Sequence, residues 1–338
     1  MIREAIHDLV AGHDLDREAA RGAMDDVMSG EATESQVAGF LVALRMKGET
    51  VDEMVGLVES MRTHGTTITA PPGAVDTCGT GGDGSGTFNI STSAALVMRG
   101  AGAIVAKHGN RGMSSACGSA DVLEALGVAI TLQAPAAEEC LKRAGIVFLL
   151  APNFHPAMRH AIGPRREIGV RTVFNLLGPM ANPARVRRQA VGVGSAEATE
   201  KMARVLAVLG HQRALVFHGS GGLDELSTEG PSRVFDVVDG EVTTFELDPQ
   251  QLGLRQATRD EILGGDAQQN AAIVRAVLDG EQGARRDIVL LNAAAGLLAA
   301  GLVTSIEEGL TRGAAAIDNG AAAAALDDLV RTSTKLAA

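Results

Sequence analysis

The sequence predicts an α/β fold in which a mostly parallel central sheet is flanked by helices and joined to a small all-helical domain. Short apolar strand patterns alternate with helical patterns from residue 75 onward, which is typical of a mostly parallel sheet. The first 66 residues carry helical patterns alone. With 338 residues the chain is long enough for a substantial core and two domains.

The helical domain is predicted over residues 1–66 from three apolar patterns. One lies at residues 6–10. A second follows the capping box Thr33-x-x-Gln36, and a third follows the capping box Thr50-x-x-Glu53. Each box places a helix start directly before apolar residues that share one face, so these helices are expected to pack together.

The α/β domain is predicted over residues 70–338. Its strands are expected at residues 75–78, 103–106, 128–132, 146–150, 189–193, 214–218, 233–237 and 242–247. Its helices are expected at residues 91–100, 120–126, 135–144, 266–279, 285–300 and 305–331. Prolines and glycines in the segment 152–189 interrupt this alternation.

A glycine-rich loop follows the first strand and predicts a phosphate site. Five glycines lie between residues 79 and 86, and a helix is expected to begin near residues 89–92. Glycines let backbone N–H groups approach an anion, and a helix N-terminus adds unpaired donors. The loop fits neither a dinucleotide site, since residues 104–107 lack an acid, nor a Walker A loop, since Ser85 and Gly86 replace Lys-Ser/Thr. A tight turn without a ligand is the alternative interpretation.

A second polar loop, residues 107–115, is expected to follow the strand 103–106. It concentrates cations, amides and hydroxyls. Ligands of open α/β sheets collect at the carboxyl ends of the strands, so both loops are expected to face one pocket. The sequence therefore predicts a phosphate site with room for a second substrate.

Two further segments carry charge that suits such a pocket. Residues 152–189 hold seven Arg and one acid, and guanidinium groups bind carboxylates and phosphates in a bidentate manner. A solvated helix face accounts for most of these Arg. Asp224 and Glu225 follow a glycine turn after the strand 214–218 and are either Mg²⁺ ligands or an ordinary surface pair.

Composition excludes several classes of function. A net charge of −11, with no Trp and no Tyr, argues against nucleic-acid binding. The three Cys form no CxxC pair, which favours a reducing compartment and no thiol chemistry. The start of the chain resembles no secretory leader, and no apolar run reaches about 18 residues, so a cytoplasmic protein without a membrane contact is expected.

Seven motifs, taken in order, resemble the anthranilate phosphoribosyltransferase family. They are Gly79–Asp83, Asn89–Thr92, Lys107–Arg111, Gly118–Gly127, Phe174–Pro179, Asp224–Glu225 and Leu291–Ala294. Their order and spacing carry the resemblance over nearly the whole chain. It implies a nucleoside phosphorylase/phosphoribosyltransferase-like fold, with part of residues 165–186 returning to the helical domain, and a homodimer joined through that domain.

The resemblance implies transfer of the phosphoribosyl group of 5-phosphoribosyl 1-diphosphate (PRPP) to the amine of anthranilate, with release of pyrophosphate, in tryptophan biosynthesis. The implied ligands of PRPP are Gly79, Gly82, Asp83, Thr87, Asn89, Ile90, Ser91, Thr92, Lys107, Ser115 and Ser119. The implied contacts with anthranilate are Gly79, His108, Asn110 and Arg165. The residues implied in catalysis are Lys107, His108, Asn110 and Arg165, although a packing role for His108 stays open.

The same resemblance implies Mg²⁺ as the cofactor. Ser91, Asp224 and Glu225 would hold it, with two ions expected per monomer. Three alternatives remain at this point: a related phosphoribosyltransferase with another acceptor, a pyrimidine nucleoside phosphorylase, and a non-catalytic phosphate-binding protein.

Overall fold

Four amphipathic helices form the amino-terminal part of the protein. The computed structural model describes residues 1–112 and 116–338. The first helices are α1 (Ile2–Val10), α2 (Arg17–Ser29), α3 (Glu34–Lys47) and α4 (Val51–Thr63). The capping boxes at the starts of α3 and α4 are both present, as the sequence predicts. Helix α2 was not predicted. Its N-cap residue is Asp16, whose side chain accepts a hydrogen bond from the backbone N–H of Ala19.

The remaining helices surround a sheet. They are α5 (Ile90–Gly100), α6 (Ser119–Ala125), α7 (Ala134–Ala144), α8 (Ala151–Phe154), α9 (Arg159–Ile168), α10 (Phe174–Leu177), α11 (Ala196–Val208), α12 (Ala267–Leu278), α13 (Ala284–Ala300), α14 (Ile306–Asp318) and α15 (Ala321–Ala337). Helix α13 packs against α5 and α14 on one side and against the sheet on the other. Within the parts of the chain described above, no helix is both long and apolar enough to cross a membrane.

The sheet is mostly parallel, as predicted. Its strands are β1 (Asp76–Gly79), β2 (Val105–Gly109), β3 (Ile146–Leu150), β4 (Arg188–Gly192), β5 (Arg213–His218), β6 (Ser232–Val238) and β7 (Glu241–Leu247). Five of them pair in the order β1-β4-β5-β6-β7, and β2 pairs with β3. A parallel bridge between Val75 and Val105 brings β2 beside β1. Only the pairings of β6, with β5 and with β7, are antiparallel among the described strands.

Three predicted elements differ from the structure. Residues 128–132 are not a strand: their apolar side chains are buried, but the N–H of Ala129 donates to the Ser333 hydroxyl on α15 instead of to a strand. The helix predicted at 305–331 is interrupted at Gly320, whose φ of 78° no α-helix contains, and becomes α14 and α15. Strand β2 extends to Gly109 through its parallel pairing with β3.

The core of the amino-terminal helices is continuous with one face of the sheet. Buried residues of α1–α4 pack with Val191 of β4, Val216 of β5 and Met202 of α11. Residues 161–181 also join this core, and α9 contacts both α2 and α3. The segment between β3 and β4 therefore runs from the sheet to the helices and back.

Candidate active site

A glycine loop, residues 79–86, connects β1 to the segment that leads into α5. Gly81 and Gly82 have φ of 70° and 71°, a region that L side chains rarely adopt. The N–H of Gly81 donates to Oδ2 of Asp224 at 2.6 Å. At Gly79 a Cβ would collide with the same carboxylate. The glycines thus allow the loop to lie directly on the loop that follows β5.

Asp83 holds the far side of the glycine loop. Its Oδ1 accepts hydrogen bonds from the N–H and the hydroxyl of Ser85 at 3.0 and 2.9 Å, and its Oδ2 accepts one from the N–H of Asp224 at 3.3 Å. Although Asp83 is partly buried, these hydrogen bonds lower the pKa of its carboxyl. The Thr87 hydroxyl lies 3.2 Å from that of Ser85 and extends the same network.

The first turn of α5 is already partly satisfied within the protein. The N–H of Ser91, expected to be a free donor, binds Oε1 of Glu225 at 3.1 Å. The side chain of Ile90 is buried in the core, so that residue presents backbone only. The hydroxyl of Thr92 is buried and has no hydrogen-bond partner among the described residues. Asn89 accepts a hydrogen bond from the side chain of Asn270 at 2.9 Å.

Lys107 lies in β2, not in the loop where the sequence places it. Lys107 is 3% exposed, and its Nζ donates to the carbonyl of Thr77 at 2.6 Å and to the Ser91 hydroxyl at 3.3 Å. Thr77 is in β1, so the pairing of β2 beside β1 fixes this ammonium group between β1 and the start of α5. A buried cation at this point favours a bound anion.

Asp224 and Glu225, called here the acid pair, are held in the loop after β5. A Cβ at Gly192 would collide with the carbonyl of Asp224, so the end of β4 also makes room for this loop. Burial, together with the charge of Asp83, raises the pKa of Asp224 to about 7. Burial, together with the charge of Asp224, raises the pKa of Glu225 to about 8. The charge of Lys107 opposes the rise at Glu225 but does not offset it.

The acid pair fits Mg²⁺ in its chemistry. Carboxylate and hydroxyl oxygens are ligands that Mg²⁺ prefers, and a divalent cation would stabilise the ionised form of both acids. Across residues 1–112 and 116–338, no three or more His, Cys, Asp or Glu side chains form a complete metal cluster. Mg²⁺ usually takes one or two carboxylates and completes its shell with substrate phosphates and water.

His108 is the next residue of β2 after Lys107, and it is neutral. Its Nδ1 lies 3.2 Å from the carbonyl of Gly178, which makes Nδ1 the donor and Nε2 the acceptor. Burial, with the nearby His155 ring at 5.4 Å, lowers the pKa of His108 to about 3. Its Nε2 is buried and has no partner in the part of the chain that the structure describes. This lone pair is therefore an unsatisfied hydrogen-bond acceptor.

The side chains of Asp76 and Asn182 bind the backbone of β2. Asp76 is fully buried, and its carboxylate accepts hydrogen bonds from the N–H of His108 at 3.3 Å and from the amide of Asn182 at 2.8 Å. Asn182 also donates to the carbonyl of Ala106 at 2.9 Å. These contacts fix the position of the β2 backbone that carries Lys107 and His108.

The other predicted residues are placed as follows. Asn110 directly follows β2, and its carbonyl accepts a hydrogen bond from the Ser119 hydroxyl at 3.2 Å, so these two lie together. Arg165 is on α9 and lies over the ring of Phe174 at 4.9 Å. The guanidinium of Arg165 makes no hydrogen bond with another described residue. Ser115 lies outside the described residues.

Arg171 is a site residue that the sequence did not single out. Its guanidinium donates one hydrogen bond to the carbonyl of Gly81 at 3.2 Å and another to the carbonyl of Gly82. It lies six residues after Arg165, so the segment that carries Arg165 is attached to the glycine loop. The excess of Arg in residues 152–189 was the signal, but it did not distinguish Arg171 from its neighbours.

Comparison with known proteins agrees with this geometry. Residues 3–65 match the helical bundle domain of a glycosyl transferase family, and residues 71–323 match its a/b domain. An anthranilate phosphoribosyltransferase of Roseiflexus castenholzii is 53% identical over 336 residues, 98% of each chain. The crystal structure of the Thermus thermophilus enzyme is 41% identical, with a TM-score of 0.92 over 99% of each chain.

The enzyme of Saccharomyces cerevisiae provides a third comparison. Its structure in complex with PRPP and Mg is 26% identical, with a TM-score of 0.91 over 99% of this chain and 98% of that chain. The same enzyme has been solved with 4-fluoroanthranilate. High identity, full-length coverage and a shared fold leave one conclusion. The chain belongs to the anthranilate phosphoribosyltransferase family.

Proposed function

We propose that this protein transfers the phosphoribosyl group of PRPP to the amine of anthranilate and releases pyrophosphate, a reaction of tryptophan biosynthesis. The observation that carries the proposal is the meeting of the glycine loop, Lys107 and the acid pair at one edge of the sheet. Gly81 binds Asp224 directly, and Ser91 binds both Lys107 and Glu225. The yeast relative, solved with PRPP and Mg and with 4-fluoroanthranilate, supports both substrates.

The glycine loop, Ser91 and Lys107 bind the diphosphate of PRPP in this proposal. Displacement at the anomeric carbon places negative charge on the leaving oxygens, and buried donors fixed in advance stabilise that charge. Lys107 is held by two hydrogen bonds before the substrate arrives. Asp83, Thr87, Asn89, Thr92 and Ser119 complete the contacts with the sugar and the phosphates.

Ser91, Asp224 and Glu225 are proposed to hold Mg²⁺, two ions per monomer. Bound Mg²⁺ would neutralise charge on the diphosphate. The raised pKa values of the acid pair support this assignment, because the ionised form of both acids is disfavoured in the protein alone and a bound cation would stabilise it.

Arg165, Asn110 and His108 are proposed to orient anthranilate. Arg165 would bind the carboxylate, which a guanidinium group recognises in a bidentate manner. Nε2 of neutral His108 would accept a hydrogen bond from the amine, with its tautomer fixed by Gly178. An aromatic amine is nucleophilic when neutral, so the reaction needs positioning more than a strong base.

Neither a pyrimidine nucleoside phosphorylase nor a non-catalytic phosphate-binding protein has a supporting observation. Two relatives that are each 53% identical and cover 98% of this chain are both named anthranilate phosphoribosyltransferase. A phosphoribosyltransferase with a different acceptor would not need both Arg165 and Asn110, and this chain has both.

The domain division, the dimer and the location belong to the same proposal. We propose a helical domain of residues 1–66, joined by part of 165–186, and an α/β domain of residues 70–338. Separate family matches to residues 3–65 and 71–323 support this division. Exposed Val10 on α1 and Met46 on α3 support a homodimer through the helical domain. The proposed location is the cytoplasm.

The fluorescence of anthranilate provides the test. The purified protein, with no Trp and no Tyr, adds little background. We expect anthranilate fluorescence to decay only when both PRPP and Mg²⁺ are present. No decay with both present, while PRPP still binds by calorimetry, would reject anthranilate as the acceptor.

A further inference from the structure

Asn292 is the only polar side chain in the apolar part of α13, residues 288–300. It is 1% exposed and lies on a helix that packs against β4 and β5. A buried amide in an apolar helix requires hydrogen-bond partners. The partners of this amide lie in the loop that carries the acid pair.

Both ends of the Asn292 amide bind the backbone of Leu226. Its Oδ1 accepts from the N–H of Leu226 at 2.9 Å, and its Nδ2 donates to the carbonyl of Leu226 at 2.9 Å. Nδ2 also donates to the carbonyl of Ile288, one helical turn earlier. Asn292 therefore pairs with Leu226 as a neighbouring strand would.

Leu226 directly follows the acid pair, so this contact sets the position of Glu225. On the other side of the pair, Leu223 is held by the N–H of Gly219, which donates to its carbonyl at 2.9 Å. The acid pair is thus fixed at both ends, by a backbone bridge before it and by a side chain after it. Helix α13 also packs on α5, whose Ser91 N–H binds Glu225.

We propose that Asn292 is a positioning residue for the metal-binding acid pair. It touches no substrate. It fixes the backbone after Glu225 so that both carboxylates face the glycine loop and Ser91. The inference rests on the proposed function for its consequence in catalysis, but the anchoring itself does not depend on that function.

The test compares Asn292→Ala with Leu291→Ala in the full-length protein. Leu291 is the neighbouring fully buried residue on α13, and its side chain makes no hydrogen bond. Both variants create a cavity and lower the melting temperature, so a general loss of packing affects both. Asn292→Ser is the third variant, since it removes less volume and still cannot reach both groups of Leu226.

Two measurements distinguish anchoring from general stability. Hydrogen exchange in residues 219–228 is expected to accelerate in the Asn292 variants relative to Leu291→Ala. The Mg²⁺ concentration for half-maximal rate is expected to rise about 10-fold or more, a typical effect of removing a partner of metal ligands. KM for anthranilate is expected to stay unchanged.

The outcomes separate the two proposals. Equal exchange and an equal Mg²⁺ requirement in Asn292→Ser and Leu291→Ala would overturn the role of Asn292. If the unmodified protein shows no Mg²⁺-dependent transfer, the proposed function fails, and the exchange comparison alone decides whether Asn292 anchors the loop.

Discussion

The backbone N–H of Gly81 donates to the carboxylate of Asp224 at 2.6 Å, across an interval of 143 residues. Ser91 and Glu225 make a second contact of the same kind at 3.1 Å. The loop after β1 and the loop after β5 are therefore one structural unit, because carboxylates of one loop accept from backbone donors of the other. Changes in either loop should affect binding of both the phosphates and the metal.

Gly79→Ala tests this contact directly. A Cβ at residue 79 would collide with the carboxylate of Asp224, so the acid pair must move. We expect a loss of about 1–3 kcal/mol in the free energy of unfolding, the usual cost of overpacking, together with a higher Mg²⁺ requirement. Urea denaturation and Mg²⁺ titration of the rate measure these two effects.

The matched control for that variant is Gly39→Ala in α3. There a Cβ would meet only the side chain of Ile6 at 3.8 Å, an ordinary contact. Replacing a glycine within a helix by alanine should stabilise the protein by roughly 0.5–1 kcal/mol and leave the Mg²⁺ requirement unchanged. If Gly79→Ala behaves in the same way, the two loops are not coupled as described.

Arg165→Ala is expected to weaken the use of anthranilate. Loss of a charge-assisted hydrogen bond costs about 1.5–3 kcal/mol, so kcat/KM for anthranilate should fall roughly 10-fold to 100-fold. KM for PRPP should change little. Steady-state kinetics at saturating PRPP measure the effect, with exposed Arg166→Ala on the same helix as the control. A loss of the same size in Arg166→Ala would indicate a general effect of basic charge on α9.

Arg171→Ala is expected to act on the other substrate. Without the guanidinium, the carbonyls of Gly81 and Gly82 lose their donors and the glycine loop becomes less ordered. Because Arg171 is exposed, we expect a cost of about 1 kcal/mol, seen as a roughly 5-fold increase in KM for PRPP. Arg171→Lys should recover part of it. Exposed Arg159→Ala is the control, and an equal increase there would refute the specific contact.

His108 should make the protein less stable as the pH falls. Burial lowers its pKa to about 3 in the folded protein, while the unfolded chain takes up this proton near pH 6.5. The stability that neutral His108 contributes is therefore complete above pH 6.5 and decreases below it, by up to about 2 kcal/mol at pH 5. His108→Gln should reduce the difference in unfolding free energy between pH 7 and pH 5.

The control for this titration is His13→Gln, at an exposed position. It should leave the pH dependence of stability as it is in the unmodified protein. The same account predicts that an NMR titration finds the His108 ring neutral down to pH 5. A ring that becomes protonated near pH 6 would contradict the acceptor role given to Nε2.

Local signals in the sequence were sufficient for most of the fold. Capping boxes and apolar periodicity located α3, α4 and most elements of the α/β part, because these signals act within a few residues. The strand predicted at 128–132 failed for a tertiary reason: its alternating side chains are buried, but its backbone lies beside α15. The helix predicted at 305–331 runs through Gly320, whose positive φ separates α14 from α15.

The site was less predictable because its geometry depends on distant contacts. Family motifs identified the glycine loop, Lys107 and the acid pair, but spacing alone could not show that Ser91 N–H is occupied by Glu225. Arg171 and Asn292 were missed as contributors for the same reason. Their partners lie 89 residues away, at Gly82, and 66 residues away, at Leu226.

The most direct measurement follows anthranilate consumption and pyrophosphate release in one reaction, for the unmodified protein and for Glu225→Gln. If the glycine loop and the acid pair act as one site for phosphoribosyl transfer, the unmodified protein releases one pyrophosphate for each anthranilate consumed, only with Mg²⁺. Glu225→Gln should fold and lose both signals together. Pyrophosphate release that continues without anthranilate, or a Glu225→Gln protein with an unchanged rate, would contradict the account.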